Sequence, residues 1–255
     1  MNELPPPEPS PQPRYVQVAV PNSRPYATYA LLALTTFIYL LQYLAQTIYP
    51  NLPIDPVTFL GIKDDVLIRA GELWRLITPV FLHASILHIA FNMYALFLFG
   101  RGIEARFGHR RFLLLYFLSA FAGNVFSFLL TPGDSLGAST AVFGLLAAEA
   151  VFLIQNRQLL GRQVNRSLLN LFFIAAVNLL IGFTTTGVDN YGHLGGILGG
   201  VIFTWFGGPR WHAEGIFPSL RLVDEREGHG AVAGTFAVLL FFIPLAALGW
   251  VWIAK

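Results

Sequence analysis

Asp189-Asn190-Tyr191-Gly192-His193-Leu194-Gly195-Gly196-Ile197-Leu198-Gly199-Gly200 (189–200) opens a run that stays apolar to residue 206. On a helix, Gly196 and Gly200 fall three and seven residues beyond His193, roughly on its own face. A neighbouring backbone can therefore approach that face closely, as small residues allow between helices in a bilayer. A polar histidine heading such a helix costs free energy in hydrocarbon. It is expected to face the bundle interior and to be a candidate for function.

The composition points the same way. Of 255 residues, 55% are hydrophobic and 12% charged, against roughly 25% charged in an ordinary soluble domain, and the mean hydropathy is +0.60. Seven apolar runs cover 26–49, 79–99, 111–130, 138–155, 168–183, 191–206 and 230–254, each near the ~20 residues that cross a bilayer. The fold class expected is all-α, a polytopic membrane helical bundle. Residues 1–25 are proline-rich and lack a basic stretch leading into an apolar one, so they read as a disordered tail and not a signal peptide. Segment 50–73 reads as an interfacial connection of short amphipathic helices. Trp74 and Arg75 read as interfacial anchors, and Glu104 and Arg106 as braces of the opposite loop.

With the N-terminus inside, 12 of the 16 Lys and Arg residues fall on inner segments, and only Lys63, Arg69, Arg75 and Lys255 fall outside. This places the tail in the cytoplasm and the C-terminus outside. A net charge of +2 without an Arg/Lys stripe argues against a nucleic-acid partner, and the lack of cysteine excludes disulfides and thiolate metal sites. Ser139 lies 18 residues from Arg157, and His193 lies 17 from Arg210. At 1.5 Å per residue both stand roughly 26 Å above the inner face. His88, 13 residues from Arg101, stands roughly 20 Å above it. The fourth run is short, so its head is recessed below the outer boundary.

Three segments thus carry chemistry. In GASTAVFG (137–144), Gly137 and Ala138 permit a sharp turn into a helix, whose free N–H groups and dipole favour developing negative charge at Ser139. The competing reading is a helix N-cap serine. His193, at matched depth, can act as base to Ser139 or make an interhelical hydrogen bond for packing alone. In HASILHIAFN (83–92), His88 and Asn92 share one helix face and can donate to an oxyanion. They also read as a structural polar pair, or as metal ligands with His83 and His193, although no carboxylate or cysteine stands at ligand spacing. Asp189 reads as a cap in the outer loop.

Together these residues resemble the rhomboid intramembrane serine proteases. GELWRLITPVFLHASILHIAFNMYAL is similar to the family's Trp-Arg motif followed by its HxxxN helix, and GIEARFG to its Glu-x-Arg loop. GASTAVFG stands where the family has GxSG, and GHLGGILGG where it has HxxGxxxG. The resemblance implies a six-helix catalytic core over 26–207, a cytoplasmic loop over 208–229 and a C-terminal transmembrane helix over 230–255, in a bacterial cell membrane. It implies a Ser139–His193 dyad without an acidic third member or cofactor, hydrolysing single-pass transmembrane substrates near the outer face. His88, Asn92 and the Ser139 N–H would hold the oxyanion, Gly137 would shape the turn, and Phe143 would pack against His193. Thr140 replaces the glycine that normally follows the nucleophile. If its side chain fills the cleft, the chain is instead a catalytically silent relative that binds membrane clients.

Overall fold

The computed structural model describes residues 22–216 and 219–252. Most of the expected tail (1–21) lies outside them. In chain order the helices are α1 (Tyr26–Ile48), α2 (Pro56–Gly61), α3 (Asp65–Arg69), α4 (Ile86–Ala95), α5 (Arg101–Leu130), α6 (Ser139–Gln155), α7 (Arg157–Leu160), α8 (Gln163–Thr184), α9 (Asn190–Gly207) and α10 (Gly230–Trp252). A π-helical turn, Leu96–Gly100, joins α4 to α5. At Gly108 (φ 76°, ψ 163°) the backbone leaves the helical region, which divides the stretch into two rods, 86–107 and 109–130. Their directions follow from their neighbours. His88 lies beside Gly137 at the head of α6, while Arg106 pairs with Glu149 near its foot. On the second rod Gly123 meets Thr140, and Ser119 meets Gly144. The chain therefore reverses at Gly108, and α1, the two rods, α6, α8, α9 and α10 make seven long helical runs.

The bundle is an integral membrane fold with α6 and α9 at its centre. Helix α6 has 17 residues, or roughly 26 Å, short of the ~30 Å hydrocarbon core. Glycine and polar residues dilute the hydropathy of α9. Neither is among the four helical stretches that are long and apolar enough to cross a membrane by themselves, which are α1, 86–130, α8 and α10. Those stretches carry many exposed large apolar residues, such as Tyr43 on α1, Phe172 on α8 and Leu240 on α10. Most of α6, by contrast, is buried. Gly195 and Gly199 of α9 press on α5 at Ala122, while Gly196 and Gly200 press on the backbone of α6 at Thr140 and Gly144. A Cβ at Gly196 or Gly200 would fall inside contact distance of the Thr140 or Gly144 carbonyl oxygen, so only glycine allows this separation.

The end of the bundle that carries Ser139 is closed by the connection after α1, whose charges turn inward. Lys63 is fully buried and donates to the carbonyls of Thr131 (2.9 Å) and Gly133 (2.7 Å), with Asp65 at 2.7 Å. Arg75 is also buried and donates to Phe59 O (2.7 Å) and Ile62 O (2.8 Å). The interfacial role expected of Arg75 is thus corrected: its guanidinium satisfies loop carbonyls inside the protein. Trp74 is exposed and donates to Leu60 O at 3.1 Å.

At the opposite end, the segment read as a cytoplasmic loop over 208–229 contains an antiparallel hairpin, β1 (Trp211–Glu214) paired with β2 (Arg221–Asp224). Four-residue strands give too little alternation to stand out in sequence. Asn156 anchors the hairpin by accepting from Trp211 N (2.7 Å) and donating to Pro209 O (3.1 Å). Arg111 pairs with Asp224. Hydrogen bonds from Arg221 and His212 hold the Glu214 carboxyl below the usual carboxylate range.

Glu104 joins the first rod to α1. Fully buried, it accepts from Ala27 N (2.8 Å), Thr28 N (2.7 Å) and Thr28 Oγ1 (2.6 Å), capping from outside a helix that has no side-chain cap of its own. Glu104→Ala strands two backbone donors and a hydroxyl, at a cost of about 1–3 kcal/mol for an unsatisfied group. Thermal unfolding of the full chain in detergent is expected to show a midpoint several degrees lower for Glu104→Ala, with a smaller loss for Glu104→Gln.

Candidate active site

The turn into α6 is built by Gly137, whose φ of +134° belongs to the glycine-favouring region. A Cβ there would stand 2.8 Å from His88 Cε1 and Nε2, so the missing side chain also makes room for that imidazole. Gly137 N donates to Pro79 O (2.9 Å), and Ala138 N donates to His83 Nε2 (3.4 Å). The N-cap position of α6 belongs to Ala138 and carries no side-chain cap. Ser139 is the first helical residue. Its hydroxyl is therefore not used as a cap, and the N–H groups of the first turn have no acceptor within the helix.

Because Gly196 and Gly200 bring α9 onto α6, Ser139 Oγ stands 2.8 Å from His193 Nε2. The other ring nitrogen, Nδ1, stands 3.2 Å from Asn190 Oδ1. Phe143, one turn after Ser139, stacks on the imidazole with ring centroids 4.4 Å apart and planes 28° apart. His193 is buried and Ser139 half-buried, so the serine is the more accessible residue of the two. Asp189 accepts from Gly192 N (2.9 Å) and Thr131 Oγ1 (2.7 Å), which makes it the cap of α9 and leaves it off the imidazole.

On the facing rod, Ala84 N donates to His88 Nδ1 (3.4 Å), which leaves Nε2 to carry the proton, on the side of Gly137. Asn92 is buried and donates one amide hydrogen to His88 O (2.9 Å). Among the described residues no hydrogen bond joins Asn92 to Ser139 or Gly137. His83 and His88 meet edge to face at 5.0 Å. His83 Nε2 is directed at Ala138 N and His193 Nε2 at Ser139 Oγ, so the three imidazoles do not converge. The described residues contain no group of three or more side chains that could hold a metal ion.

Two participants escape a reading of sequence alone. Asn190, three residues before His193, shares its face, but Asp189 beside it draws attention first. Gln42 is a buried polar residue in the apolar α1, a signal in itself. It accepts from His83 N (3.1 Å) and donates to His83 O (3.4 Å) and Thr58 Oγ1 (2.7 Å), tying α1 and α2 to the loop beneath Ala138.

Thr140 turns away from the cleft. It is buried, and a Cβ on Gly123 of α5 would stand 2.6 Å from Thr140 Cβ and 2.7 Å from its methyl. The room that the methyl needs is supplied by Gly123, in a different helix. Its Oγ1 is buried without a hydrogen-bond partner, an arrangement that costs about 1–3 kcal/mol. Thr140→Val keeps the shape and removes that hydroxyl, so it is expected to raise the thermal midpoint and leave Ser139 reactivity toward a fluorophosphonate unchanged. Gly123→Ala is expected to lower both, read by the same two assays.

The family model described as "Rhomboid domain" matches residues 70–210. Rhomboid protease GluP of Bacillus subtilis is 36% identical over 179 residues, which are 70% of this chain and 34% of the relative. Putative rhomboid protease YdcA of the same organism is 34% identical over 137 residues, 53% of this chain and 67% of the relative. Rhomboid-like protease 3 of Toxoplasma gondii is 39% identical over 132 residues, 51% of this chain and 50% of the relative. The chain spans about a third to a half of the length of the first relatives it matches.

Proposed function

Because the chain belongs to the rhomboid family, we propose that it is an active intramembrane serine endopeptidase that cleaves transmembrane proteins with Ser139 as nucleophile and His193 as base. The observation that carries this reading is the 2.8 Å contact between Ser139 Oγ and His193 Nε2 at an uncapped helix head. Ser139 Oγ attacks the scissile carbonyl carbon while its proton passes to His193 Nε2. The oxyanion accepts from His88 Nε2–H and the Ser139 backbone N–H, and Asn92 has a second amide hydrogen beyond the one on its own helix. Collapse breaks the C–N bond, and the proton on His193 leaves with the amine. Water then attacks the acyl ester and gives a proton to His193, and the second collapse breaks the ester C–O bond, returns that proton from His193 to Ser139 Oγ and releases the new carboxyl group. Phe143 keeps the imidazole in plane against α6, and Gly137 leaves His88 its place.

The short α6 keeps this chemistry below the membrane surface, which suits a substrate helix that unwinds near its end. The tail is cytoplasmic, the dyad end faces outward, and single-pass proteins are the substrate class. The alternative, a silent client-binding relative, draws its motive from Thr140, and the burial of that side chain against Gly123 supports the active reading over it.

Co-expression with a tagged transmembrane substrate is expected to give cleavage by the wild-type chain, none by Ser139→Ala, and a loss of roughly 10²-fold or more with His193→Ala. Equal processing by all three would sink the protease reading. Fluorophosphonate labelling that Ser139→Ala abolishes would eliminate the silent one.

A further inference from the structure

The imidazole of His193 can serve as a base toward Ser139 only with its proton on Nδ1 and its lone pair on Nε2. Nothing on α6 imposes that tautomer, since a hydroxyl can donate to Nε2 or accept from it. The selection comes from the other side of the ring. Asn190 is buried, and its Nδ2 donates to the carbonyl of Leu179 on α8 at 3.0 Å. A carbonyl oxygen can only accept, so the amide must present its NH₂ to Leu179 and its Oδ1 to His193. An Oδ1 facing Nδ1 at 3.2 Å can in turn only accept, which requires the proton on Nδ1. The amide fits this slot because residue 182 of α8 is glycine: a Cβ there would lie inside contact distance of Asn190 Oδ1 and 2.9 Å from its Cγ. Gly182 is one of only three buried positions on α8, with Val164 and Leu171, while Leu180, Ile181 and Phe183 around it are exposed.

We propose that Asn190 is the positioning residue that holds His193 in its base-competent tautomer, and that Leu179 and Gly182 of α8 in turn fix the orientation of the Asn190 amide. A neutral amide thus takes the place in this chain that a carboxylate occupies behind other catalytic histidines, while Asp189 beside it caps α9 through Oδ1 and makes no hydrogen bond to the imidazole. The assignment builds on the protease reading for its purpose, but its geometry can be tested without turnover.

The full chain carrying Ser139→Ala, labelled with ¹⁵N-histidine in detergent micelles, reports the tautomer directly. The chain has six histidines, and the His193 signals are those lost on adding His193→Gln. A proton bonded to Nδ1 is expected for Ser139→Ala. A mixture of tautomers is expected once Asn190→Ala is added, and restoration with Asn190→Asp, which keeps the acceptor. Gly182→Ala, which leaves Asn190 in place but displaces its amide, is expected to give the same mixture and serves if Asn190→Ala fails to fold. In the chain with Ser139 intact, fluorophosphonate labelling is expected to slow roughly tenfold or more with Asn190→Ala and to recover most of its rate with Asn190→Asp. An unchanged Nδ1 tautomer in both Asn190→Ala and Gly182→Ala would overturn the proposal. So would an Nε2-bound proton in Ser139→Ala itself. A wild-type chain that is never labelled would defeat the protease reading instead, and the nitrogen spectra would still decide the role of Asn190.

Discussion

Backbone-to-backbone contact between α6 and α9 is the constraint on which the rest depends. In hydrocarbon no hydrophobic driving force presses helices together, so their association rests on dispersion and on how closely backbones approach. Gly196 and Gly200 let α9 come to the carbonyls of Thr140 and Gly144, and on its other flank Gly195 and Gly199 admit α5. Dense packing around His193 holds its ring in one pose against Ser139 and Phe143. A helix so rich in glycine and polar groups is poorly suited to face lipid. The outer helices α1, α8 and α10 take that task, which explains why their exposed residues are so apolar.

Much of this was legible in the residues. The glycine spacing after His193 predicts a close face, and depth matching brings Ser139 and His193 to one level. Turn chemistry in GASTAVFG predicts a sharp entry into α6. What sequence could not decide was the use of each polar group. The cap alternative for Ser139 fails because Ala138 occupies that position, which depends on backbone angles and not on residue type. Arg75 read as an interfacial anchor since a long cation near a span usually reaches for water. Here two carbonyls in the connecting loop hold it inside. The hairpin at 211–224 was invisible because four-residue strands carry too little period.

The end of the bundle that bears Ser139 is held by side chains that would ordinarily be costly to bury. Lys63 and Arg75 are desolvated, yet each finds loop carbonyls and a carboxylate. Such arrangements are expensive to break by removing one partner, and this fits a loop that must stay in register over a half-open site. Gln42 extends the same logic into the first span. Its amide clasps both backbone groups of His83, so the floor under Ala138 is set by a residue far away in the chain.

The pairing of Thr140 with Gly123 bears on how kinship is judged. A pattern that demands glycine directly after the serine would discard this chain, although the side chain at that position never meets the cleft. The informative unit spans two helices, a bulky residue on one matched by an absent side chain on the other. Read as a two-position volume rule, the GxSG motif tolerates variation at its last place in exchange for space granted by the third span. Chains that break the motif without granting that space are the ones in which a lost function should be sought.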